Sequence, residues 1–104
     1  MGSTPDSYGV LDHVPHAVRV TVFHAAGCHL CERALAQVRA LRDELGFALD
    51  EVAIDGDPEL EARYRAWLPV VEIDGAQTFT YHVHEDAFRR RLAAAQSARS
   101  DPTL

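Results

Sequence analysis

The chain has 104 residues, enough for one domain with a modest core and not for two. Its 47% hydrophobic and 25% charged residues are ordinary for a globular domain. A net charge of −6 argues against a phosphate-backbone partner, hence against nucleic acid, and no stretch reaches the ~20 apolar residues that would span a bilayer.

Residues 1–16 mix Gly, Ser, Pro, Asp and His without periodicity, and are expected to form a loose lead-in to a domain over residues 17–96. They contain no basic segment followed by an apolar one, so no secretory signal is visible and a cytoplasmic location is expected. The segment AVRVTVFH, Ala17 to His24, is β-branched and apolar and reads as a buried strand. A helix is expected from Cys28 to about Leu45, because Leu35, Val38, Leu41 and Leu45 recur at spacings of three and four. Gly46 stands where a glycine ends a helix.

FALDEVAID reads as the next strand, with a slip of alternation between Leu49 and Val52 that a bulge or a late start would explain. Asp57 followed by Pro58 is a cap and first-position proline for a short helix, PELEARYRAW. PVVEI, the turn Asp74-Gly75 and AQTFTY predict a β-hairpin. A last helix is expected from about His84 to Ala95 or beyond, with Phe88, Leu92 and Ala95 on one face, before a polar tail over residues 97–104. Its run Arg89-Arg90-Arg91 is balanced by Glu85 and Asp86 and reads as a solvated face. The order βαβαββα implies a parallel pair joined by a right-handed crossover and an added antiparallel hairpin, with helices on both faces of a mixed sheet: an α/β fold.

The only two cysteines, Cys28 and Cys31, fall at the junction of the first strand and helix. Three readings stand: a redox couple, half of a metal site, or two small core residues. Chemistry favours the first. A cysteine at a helix start meets unpaired N–H groups and the positive end of the helix dipole, both of which favour the nucleophilic thiolate. A thiol one turn later can reach back to close a disulfide. His29 can add charge or a donor beside that thiolate. A structural zinc site needs four ligands, and Cys28 and Cys31 would have to recruit His24, His29, His82 or His84. No metal or other cofactor is expected.

VTVFHAAGCHLCERA, VAIDGDPELEARY and LPVVEIDGAQTF together resemble the small bacterial glutaredoxin-like branch of the thioredoxin superfamily, over about Val18 to Leu92. The resemblance implies a thioredoxin-like fold with strand order 2-1-3-4 and a thiol-disulfide oxidoreductase, with Cys28 attacking and Cys31 resolving. It also makes Pro69 a cis-proline that turns the Leu68 backbone toward the cysteines. Leu68, Pro69 and His29 are thereby expected to contact the substrate. Tyr64 and Trp67 would lie near the site, although aromatics at the end of a short helix more often pack in the core.

The sequence departs from the glutathione-using pattern at three places. Ala25 replaces a lysine, His82-Val83-His84 replaces a glycine pair, and His29-Leu30 replaces Pro-Tyr. His82 and His84 share one face of an extended segment and read as solvated. The expected partners are a disulfide-containing protein or a small-thiol substrate, with a protein reductant preferred over glutathione, and the expected state is a monomer.

Overall fold

Strand β1, Arg19–His24, is the organising element of a computed structural model that describes residues 18–100. It turns Val20 and Val22 to one face of the sheet, where both are fully buried, and Phe23 to the other. Beside it in parallel lies β2, Ala48–Ala53, with Arg19 opposite Ala48 and His24 opposite Ala53. On its other side β3, Val70–Ile73, runs antiparallel, and β4, Ala76–Thr80, completes the sheet. The strand order is 2-1-3-4.

Helix α1, His29–Leu45, connects β1 to β2 and buries Cys31, Ala34, Leu35, Val38 and Leu41. It starts one residue later than the sequence predicts, because Cys28 keeps an extended backbone and serves as the cap. Gly46 ends it, donating its N–H to the Arg42 carbonyl at 2.8 Å. The slip of alternation in β2 produces no bulge, since the pairing of β1 with β2 runs unbroken. Leu49 stands opposite Val20 and joins the cluster on that face, whereas Val52 stands opposite Phe23 on the other. Both faces are covered, so the strand has no need of strict alternation.

Helix α2, Pro58–Tyr64, is capped by Asp57, whose Oδ1 accepts the N–H groups of Glu59 and Leu60, each at 3.1 Å. The predicted helix tightens into a 3₁₀ turn over Arg65–Trp67. In the hairpin, Asp74 and Gly75 take φ of 52° and 85°, the mirror-image turn whose twist matches two antiparallel strands. The pairing shifts between Val71 opposite Phe79 and Glu72 opposite Gln77, leaving Thr78 as an extra residue.

Helix α3, Glu85–Ser100, buries Phe88 and Leu92, and Ala95 packs against the same cluster. Residues 97–100 of the expected tail therefore belong to this helix, while residues 101–104 and the expected lead-in lie outside the described residues. Arg89 pairs with both Glu85 and Glu44, tying α3 to α1. Among the described residues no helix is long and apolar enough to cross a membrane.

Two clusters make the core. The larger, between the sheet and helices α1 and α3, holds Val20, Val22, Leu35, Val38, Val71, Phe88 and Leu92 among its buried residues. At ~1.5–3 kcal/mol for each large side chain removed from water, it is the main source of stability. The smaller, on the α2 face, holds Ala25, Cys31, Ile54, Tyr64, Leu68 and Val70.

Candidate dithiol site

The chain leaves β1 at His24 and reaches α1 through a short loop whose Gly27 has φ of 75°, a region that side-chain-bearing residues rarely enter. Asp55, from the loop after β2, fixes this turn by accepting the Ala26 N–H at 2.9 Å. Asp55 is itself 3.6 Å from the Arg65 guanidinium, which also lies 3.6 Å from Glu61. The Asp55 carboxylate thus joins the site loop, 29 residues away, to the 3₁₀ turn that follows α2.

Cys28 and Cys31 are disulfide-bonded, with their Cα atoms 5.1 Å apart. The Cys28 Sγ accepts the Cys31 N–H at 3.1 Å, so a sulfur takes the place usually filled by a capping oxygen. The same donor and the helix dipole stabilise negative charge on that sulfur when the bond is reduced. The two residues differ in access: Cys31 is 1% exposed, packed in the smaller cluster, whereas Cys28 is half-buried at its edge. His29 projects into solvent, its Nδ1 3.8 Å from Glu32 Oε1.

The segment facing the disulfide comes from the entry to β3. The Leu68–Pro69 peptide bond is cis, Pro69 is fully buried, and the Leu68 side chain shares the smaller cluster with both cysteines. Ladder pairing of β3 with β1 starts only at Val70, so Leu68 precedes the sheet. Tyr81 braces the segment from the far end of β4: its N–H donates to the Pro69 carbonyl at 3.0 Å and its hydroxyl to the Ala66 carbonyl at 2.9 Å. Tyr81 has φ of 67° and is the centre of a tight three-residue turn closed by His82 N–H on Thr80 O at 2.7 Å. A non-glycine residue rarely adopts this conformation, and the two bonds to Pro69 and Ala66 hold it there.

Tyr64 packs as an interior aromatic. Its ring stacks on Phe23 with centroids 4.2 Å apart, and its hydroxyl donates to Glu72 Oε2 at 3.1 Å. Burial, then the hydrogen bond to Glu72 and that carboxylate's charge, raise its pKa above the ordinary phenol value. Trp67 departs from the core-packing expectation. It lies in the 3₁₀ turn, is 50% exposed, and its ring lies 6.1 Å from the half-exposed Tyr81.

A groove of about 180 Å³ runs beside the site along α1, lined by Leu30, Arg33, Ala34 and Gln37 on one side and Tyr81, His82 and Val83 on the other. Gln37 closes its far end by donating to the Val83 carbonyl at 3.1 Å. His82 and His84 are both exposed, as the sequence predicts, but only His82 faces this groove. Among the described residues no three His, Cys, Asp or Glu side chains gather to hold a metal ion. Asp55, Tyr81 and the groove escape sequence reasoning. The one local signal was the loop character of Ala25–Gly27, which demands an acceptor from elsewhere but does not say which.

Comparison with known proteins places this architecture. Residues 19–93 match the family model described as Glutaredoxin-like domain (DUF836). The uncharacterized protein Rv0508 of Mycobacterium tuberculosis is 34% identical over 80 residues, 72% of this chain and 82% of its own length. Among solved structures, protein Ne2328 of Nitrosomonas europaea aligns with a TM-score of 0.63 and 28% identity, covering 73% of this chain and 92% of that one. A thioredoxin of Fasciola hepatica shares the fold at a TM-score of 0.58 and 21% identity, covering 88% of this chain and 92% of its own.

Proposed function

Because the chain belongs to the glutaredoxin-like domain family, we propose that it is a thiol-disulfide oxidoreductase working through the Cys28–Cys31 couple. The observation that carries this reading is the asymmetry of the pair: a half-buried Cys28 whose sulfur accepts a backbone N–H at a helix start, and a fully buried Cys31 one turn behind it. In the reduced protein the Cys28 thiolate attacks one sulfur of a substrate disulfide. That S–S bond breaks, and the departing thiolate takes a proton from solvent. The Cys31 thiol, giving up its proton, attacks Cys28 Sγ and expels the second substrate thiolate. Two electrons have passed to the substrate, and the protein is left with the disulfide.

The approach of the substrate is supported by the Leu68–Pro69 segment. Its backbone lies before the β3 ladder and beside the cysteines, where an extended chain can pair in strand fashion. His29, exposed at the start of α1, meets the same chain. A protein dithiol in a reducing cytoplasm is the proposed electron source. Ala25, which replaces a lysine, is buried and offers no charge to the carboxylates of glutathione.

The test is a pair of variants. Cys31→Ser accumulates a mixed disulfide with a substrate protein or a model peptide disulfide, and Cys28→Ser does not; intact-mass measurement of the adduct reads the outcome. Equal trapping by both variants, or none by either, overturns the assignment of roles.

A further inference from the structure

The groove beside the disulfide has a chemistry of its own. Leu30, between the two cysteines, stands at its site end; Ala34 and Val83 are buried, and the hydrogen bond from Gln37 to Val83 closes it. Its lining contains Arg33 and His82 and no carboxylate. In a chain with a net charge of −6, five arginines of the described region are neutralised. Arg19, Arg39, Arg42, Arg65 and Arg89 each lie against an Asp or Glu. Arg33, like Arg63, Arg90 and Arg91, forms no such pair among the described residues, and of these four it is the one that lines the groove. An unneutralised guanidinium on a groove wall is a fork suited to a carboxylate.

At Tyr81 the groove wall continues into an aromatic pair. Among the described residues, Trp67 and Tyr81 are the two large hydrophobic side chains that stay exposed, at 50% and 40%. Their rings are 6.1 Å apart, and Tyr81 is fixed at both its N–H and its hydroxyl. A peptide whose cysteine meets Cys28 can lay its neighbouring side chains on this aromatic pair and in the groove that Tyr81 shares with it.

Resting on the oxidoreductase reading, we propose that the site selects protein disulfides whose target cysteine is flanked by an acidic residue, and that Arg33 is the residue that reads it. Geometry sets the spacing. From Cys28 to Arg33 the helix rises about 7.5 Å, at about 1.5 Å per residue. An extended substrate advances about 3.3 Å per residue, so the carboxylate belongs two or three positions from the substrate cysteine. Each turnover oxidises the Cys28 and Cys31 thiols to a disulfide and reduces the substrate disulfide to two thiols, and Arg33 takes no part in the electron transfer.

The experiment uses the reduced full chain and disulfide-linked dimers of one ten-residue peptide. The residues two and three positions from its cysteine are Glu, Gln or Lys. Rates at subsaturating peptide give kcat/KM, and saturating peptide separates KM from kcat. The Glu peptide is expected to exceed the Lys peptide about fivefold, the upper range for a solvent-exposed pair, through KM, and the margin shrinks with added salt. Arg33→Glu reverses the order, whereas Arg91→Glu, the same charge change on α3, retains it. Equal rates for all peptides, or the same reversal in Arg91→Glu, overturn the proposal while leaving the oxidoreductase reading in place. Failure of the reduced chain to reduce any peptide overturns both. Preference for glutathione disulfide over every peptide shows the groove to be a tripeptide site and overturns the proposal alone.

Discussion

The two faces of the sheet are built to different ends. Toward α1 and α3 lies a cluster of thirteen buried residues, all with hydrocarbon side chains, which makes that face the main source of stability. Toward α2 lies one of six, which includes a cysteine sulfur and a phenol and is rimmed by Cys28. The strand β1 serves both, with Val20 and Val22 on one side and Phe23 on the other. Hydrocarbon packing is non-directional and adds with area, whereas the sulfur chemistry needs a cap, a turn and a facing segment at fixed positions. Substitutions on the two faces are therefore expected to separate stability from reactivity.

The strongest way to break this division is Phe88→Ala. Phe88 is fully buried at the centre of the larger cluster, 5.5 Å from Phe47 and 6.3 Å from Phe79 by ring centroids. Its removal is expected to cost about 3–5 kcal/mol in chemical denaturation. The folded fraction should keep the wild-type alkylation rate at Cys28, and a changed rate would mean that the faces are coupled.

Tyr64→Phe probes the other face more gently. The stacking on Phe23 survives, and the hydrogen bond to Glu72 is lost, at about 1 kcal/mol. The same variant has a pH signature. Burial and Glu72 raise the folded pKa of Tyr64 above its unfolded value, which favours the protonated phenol in the native state. The stability linked to it is complete below about pH 10 and is lost as pH rises through the folded value. Melting temperatures from pH 8 to 11 should therefore fall more steeply for the wild type than for Tyr64→Phe; parallel slopes would remove Tyr64 from the alkaline transition.

The smallest effect is expected from Asp55→Ala. Asp55 and its partners are exposed, so global stability should change by less than about 1 kcal/mol. Hydrogen exchange at the Ala26 amide should nonetheless accelerate, because that N–H loses its acceptor, and the dithiol loop should loosen while α1 does not. Unchanged exchange at Ala26 would show that the loop holds its shape without the carboxylate.

What the sequence makes legible follows the same division. The element order was readable because period, cap and turn signals are local: Asp57-Pro58, Gly46 and Asp74-Gly75 each act within a few residues. The Cys28–Cys31 pair was readable because it too is local, and Pro69 became readable only through family resemblance. The slip in β2 was not, since it depends on both sheet faces being covered. Nor was the bond from Asp55 to Ala26, or the groove between α1 and Tyr81–Val83, because each needs segments that only the completed fold brings together. Trp67 misled because the change from α-helix to 3₁₀ turn at Arg65 leaves no local signal in the sequence.

The outer margin of the sheet has a consequence for the company the protein keeps. β2 is an edge strand, and its Asp50 and Glu51 carry ion pairs to Arg19 and to Arg39, the latter through two hydrogen bonds at 2.6 and 2.7 Å. A foreign strand seeking to extend the sheet there meets a charged border whose pairs it must disturb, a standard guard against edge-to-edge aggregation. At the opposite margin, the extra residue Thr78 breaks the even spacing of β4 that a docking strand would need. Both borders of the sheet thus resist templating, and the chain-pairing capacity of the fold is left to the short stretch at Leu68, next to the sulfurs.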